Sequence, residues 1–65
     1  AKQIMSVEEL KEKTKESCFD HPEFAEDLMD LYSLALDEID QGGSTWHECE
    51  LALSDMEYLI NTKEL

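Results

Sequence analysis

Residues 22–61 read PEFAEDLMDLYSLALDEIDQGGSTWHECELALSDMEYLIN. This stretch holds every Trp and Tyr of the chain and no Lys or Arg. On a helical wheel of ~100° per residue, Phe24, Ala25, Leu28, Met29, Leu31, Tyr32, Ala35, Leu36 and Ile39 fill one broad arc. Trp46, Cys49, Ala52, Leu53, Met56, Leu59 and Ile60 repeat that periodicity further on. Between the two runs stands Gln41-Gly42-Gly43. A glycine there suits the left-handed position that closes a helix, and the other glycine should matter less. The spacing therefore predicts a hairpin of helices over 22–40 and 46–60. Asp20 with Glu23, and Thr45 with Glu48, have the spacing of a capping box before each helix.

Upstream, Ser6 and Glu9 have the same spacing, with Met5 and Leu10 placed as a staple around them. They predict a first helix over 7–17. Its apolar stripe is thin, comprising Val7, Leu10, Thr14 and Cys18. Such a helix needs a partner to be stable, and the broad arc of the second helix can touch both neighbours. Cys18-Phe19-Asp20-His21-Pro22 breaks the first pattern, because Pro22 disfavours helical geometry at His21. The expectation is an all-α, three-helix bundle with the second and third helices as its main unit. It forms a single acidic helical domain over 1–65, with 1–5 and 62–65 frayed.

At 65 residues the chain has room for one small core. It contains no apolar run of membrane-spanning length and no secretory signal pattern, which places the expected location in the cytoplasm. Cys18 and Cys49 both fall on apolar faces and read as reduced core thiols.

Metal and catalytic chemistry find little footing. Asp37 to Glu48 has the length of a calcium loop, with Asp first, Gly sixth and Glu last. Its third and fifth positions are Ile39 and Gln41, where the ion needs oxygen donors of another kind. His47, Cys49 and Glu50 are close in sequence but do not share a helical face, so no zinc site is expected. No nucleophile, base and orienting group are recognisable together. The expected chain is not an enzyme and carries no catalytic residue, cofactor or metal.

The charge pattern carries the functional information. The net charge is −12. From Glu16 to Thr62 there are thirteen acidic residues and no Lys or Arg, whereas Lys11, Lys13 and Lys15 crowd the first helix. Phosphates would be repelled, which argues against direct binding to nucleic acid or to an anionic membrane. A basic protein surface would be attracted. Glu23, Glu26, Asp30 and Asp37 run along one side of the second helix like a row of phosphates. Leu34 interrupts the acidic arc, and His47, Leu51 and Tyr58 form a minor stripe off the main face of the third helix. These eight residues are the expected partner-binding set.

In size and charge the chain resembles small acidic inhibitors encoded by phages and mobile elements, which block nucleic-acid-handling proteins of the host. That resemblance implies a nucleic-acid mimic and assigns no individual residue. The expected function is an interaction module that binds a basic protein, specifically a nucleic-acid-binding one, as inhibitor or regulator. The alternative is a small self-associating structural or accessory domain, possible as a homodimer, whose acidity only keeps it soluble.

Overall fold

A computed structural model describes residues 6–64, with side chains for 6–62. Among the described residues there are three α-helices: α1 (Val7–Asp20), α2 (Ala25–Asp40) and α3 (Thr45–Glu64). A short 3-10 turn, Pro22–Phe24, leads into α2. The predicted all-α three-helix bundle is the observed architecture. α2 is its centre, packing against both α1 and α3, while α1 and α3 share a smaller contact. The bundle is flattened, with principal extents of 33 × 29 × 17 Å.

The helix ends follow from local chemistry. The Glu9 amide donates to Ser6 Oγ at 3.2 Å, as the first capping spacing predicts. α1 runs three residues further than expected, because Pro22 constrains only His21 and nothing earlier stops the helix. His21 leaves helical geometry at φ −131°, and its amide closes α1 by donating to the Ser17 carbonyl at 2.8 Å. Asp20 is therefore the last residue of α1, and no side chain caps the turn that follows, contrary to the Asp20–Glu23 expectation. At α3 the cap lies one residue earlier than Thr45: the His47 amide donates to Ser44 Oγ at 3.4 Å. α3 also continues through Asn61 and Thr62 to Glu64, past the expected helix end at Ile60. No Gly or Pro follows Ile60, and half-buried Leu59 and Ile60 anchor the turn before it. The expectations for 1–5, including the Met5 staple, and for Leu65 lie outside the described residues.

Only four residues link α2 to α3, and the two glycines divide the work. Gly42 has φ +107°. Its amide donates to the Ile39 carbonyl at 3.0 Å, and the Gly43 amide donates to the Glu38 carbonyl at 2.9 Å. This is the paired bonding of a Schellman ending, with Gly42 in the left-handed position. Gly43 is constrained too, by space rather than by φ, where the sequence leads one to expect it to matter less. A Cβ there would lie 2.9 Å from the Glu38 carbonyl oxygen and 3.0 Å from Glu48 Oε2. The twelve-residue span Asp37–Glu48 is thus two helix ends around this tight link, and Gln41 Nε2 donates to Asp37 Oδ2 at 3.1 Å.

The core is small. Leu10, Leu28, Cys49 and Met56 are fully or almost fully buried, with Ala35 and Ala52 beside them. Cys18, Phe24, Leu31, Tyr32, Ile39, Leu53, Leu59 and Ile60 pack around this centre. Both cysteines are free thiols. Thr14 is buried as well; its hydroxyl donates to the Leu10 carbonyl at 2.7 Å and lies 3.7 Å from Met56 Sδ. That bond removes the cost of sinking a polar group into the helix interface. Two residues expected in the core are exposed: Met29 and Trp46. Trp46 lies on the correct stripe but in the opening turn of α3. Met29 lies at the edge of the arc.

Candidate functional site

α2 and α3 each place an alanine, Ala35 and Ala52, in the lining of one shared groove. Ala35 and Ala52 are each 5% exposed. Small residues at a helix contact allow a close approach, and larger neighbours then stand up on either side. The result is an open groove lined by Leu31, Leu34, Ala35 and Glu38 of α2 and by Glu48, Leu51, Ala52 and Asp55 of α3. Both sets have the spacing i, i+3, i+4, i+7, which places each on one face of its helix. Leu34 and Leu51 are 59% and 46% exposed, far more than helix residues facing a core. No residue of α1 lines this groove.

The eight expected residues are all exposed, but they do not form one site. Leu34 and Leu51 come together in the groove. Asp30, Leu34 and Asp37 share a shallow patch with Ser33 on the outer side of α2. Leu34 therefore joins the patch to the groove. Glu23, Glu26, His47 and Tyr58 line neither, and the expected stripe of His47, Leu51 and Tyr58 is not a continuous surface feature of the groove. α1 does not cover Tyr58, which is 73% exposed. Glu38, Glu48 and Asp55 were not singled out by sequence reasoning. The signal was present as two quartets of identical spacing on helices predicted to pair.

The surrounding field has one sign. Of the thirteen acidic residues between Glu16 and Thr62, twelve are exposed and Glu48 is half-buried. The lysines Lys11, Lys13 and Lys15 stay on α1. The other interhelical groove, between α1 and α3, is different in kind: Lys13 joins Glu16, Glu50 and Glu57 around Leu53, Met56 and Ile60. The charge there is mixed.

Cys49 lies beneath the α2–α3 contact, and burial pushes its thiol above the ordinary value of 9.0, with the nearby Glu48 carboxylate adding to the rise. A raised folded-state pKa means that the folded chain keeps a proton which the unfolded chain loses. The associated stability is intact below that ordinary value and is lost as pH climbs past it. The unfolding free energies of the wild type and Cys49→Ala should therefore converge as pH passes upward through about 9. Urea titrations of both proteins across that range would check this; a constant difference would mean the thiol titrates normally. Among the described residues, no group of three or more His, Cys, Asp or Glu is arranged to hold a metal ion, and no helix is long and apolar enough to cross a membrane.

No family model, curated protein or solved structure matches the chain.

Proposed function

We propose that the chain is a non-enzymatic interaction module that binds a basic protein surface and acts as an inhibitor or regulator. The observation that carries this reading is the outward display of acidic side chains over α2 and α3 with no Lys or Arg from Glu16 to Thr62. Like charges at neighbouring helical positions cost about 0.2–0.5 kcal/mol per pair, so such a surface lowers stability, and a partner-facing role is a reason to tolerate that cost. A nucleic-acid-binding protein is the natural target class, since its groove is built to receive closely spaced negative charge. The cytoplasm, where such proteins work, is the proposed location.

The chain fixed to a resin at low salt should capture basic nucleic-acid-binding proteins and release them along a salt gradient. Tyr58→Ala should weaken capture by about 2 kcal/mol without changing the melting temperature, because an exposed aromatic can anchor a partner but does not hold the core. Unfolding of the Tyr58→Ala domain would show that this side chain is structural. The second reading, self-association, is favoured by the exposed apolar Met29, Leu34 and Leu51. It would be supported if the chain formed a dimer that strengthened with salt while nothing basic was retained.

A further inference from the structure

We infer that the groove between α2 and α3 is a seat for one cationic amphipathic helix on the partner, an assignment that rests on the reading above and deepens it. The floor is apolar and shallow, formed by Ala35 and Ala52. Leu34 and Leu51 form its walls, and Leu31 extends its apolar length. Glu38 and Glu48 stand at the end nearer the interhelical link, and Asp55 stands at the other. The lining residues span seven steps on each helix, about 10 Å or two turns. A guest helix laid there would press one or two apolar side chains onto the alanines, between the two leucines. Its flanking Lys or Arg side chains would reach Glu38, Glu48 and Asp55. This is the helix-in-groove mode of recognition, in which anchors repeat at three and four residues.

Charge selects the occupant. No Lys or Arg of α2 or of the groove-facing part of α3 offsets these carboxylates. The patch of Asp30 and Asp37 continues the negative field on the outer side of Leu34. A second copy of this chain does not fit that requirement. Its α2 and α3 would bring more carboxylates to the groove. Its α1 carries lysines, but they alternate with Glu8, Glu9, Glu12 and Glu16, and Leu10 and Thr14 are already buried inward. The mixed-charge groove between α1 and α3 lacks this selectivity, since Lys13 lies within it.

The experiment uses the whole chain and three labelled peptides followed by fluorescence anisotropy at low ionic strength. The first has leucines at helical spacing with lysines on both flanks. The second scrambles the same residues, and the third carries Glu in place of Lys. The first peptide should bind about tenfold or more tighter than the second, and the third should not bind. Leu34→Ser and Leu51→Ser, checked for folding by circular dichroism, should each remove most of that advantage. Glu38→Gln and Asp55→Asn should weaken the first peptide severalfold and flatten its salt dependence. Equal binding of the first two peptides would overturn the groove while leaving capture of basic surfaces intact. Equal binding of the first and third would overturn the charge assignment. A dimer of the chain that dissociates on Leu34→Ser would make a second copy the occupant and overturn the inference. Failure of both basic peptides to bind would sink this inference together with the reading it rests on.

Discussion

Leu28→Ala is expected to remove most of the domain's stability at room temperature. Leu28 is fully buried in the first turn of α2, the helix that touches both others. Truncating a buried leucine costs about 3 kcal/mol, part in lost transfer free energy and part in the cavity left behind. A single core of this size rarely supplies more than about 3–5 kcal/mol in total, so one substitution consumes most of it. Leu34→Ala is the matched control. It removes the same atoms from the same helix at a site that is 59% exposed, and should shift stability by no more than about 0.5 kcal/mol. Urea titration followed by circular dichroism separates the two. Similar midpoints for both variants would mean that α2 does not pack as described.

The second large effect lies in the interhelical link. Gly42→Ala should cost about 1 kcal/mol, because only glycine holds φ +107° without strain. Gly43→Ala should cost at least as much for a different reason. Its new methyl would meet the Glu38 carbonyl oxygen at 2.9 Å, and backbone cannot step aside as a side chain does. The hydrogen bond from the Gly43 amide to that same oxygen would lengthen. Asparagine tells the two causes apart. Gly42→Asn should recover part of the loss, since Asn tolerates left-handed geometry, whereas Gly43→Asn should recover none. Melting temperatures of the four variants are sufficient, and a harmless Gly43→Ala would remove the steric argument.

Much of this fold is legible in the sequence because helical periodicity fixes angle. Leu10 and Thr14 on α1, Leu28 and Ala35 on α2, and Cys49, Ala52 and Met56 on α3 were all assigned inward, and all are buried. Periodicity does not fix height along the axis. Trp46 has the right angle but stands in the opening turn of α3, and it is exposed. Phe19 shows a related effect. Once α1 continues to Asp20, Phe19 is carried round to solvent and is 86% exposed. The groove was harder still, because it depends on how closely two helices approach. Ala35 and Ala52 line it from the two helices, and as separate residues on two core stripes they look like ordinary filler. Glu38, Glu48 and Asp55 acquire a common meaning only after the alanines are set against each other.

The confinement of Lys11, Lys13 and Lys15 to α1 has a consequence for motion. A body whose negative charge is displaced to one side carries an electric dipole, and a dipole in the field of a cationic object feels a torque. As such an object diffuses near, the domain is turned before contact so that α2 and α3 lead and α1 trails. The fraction of collisions that arrive in the correct orientation rises, and with it the association rate. Moving the lysines onto α2 at constant net charge would leave the pull between the two bodies and abolish the turning.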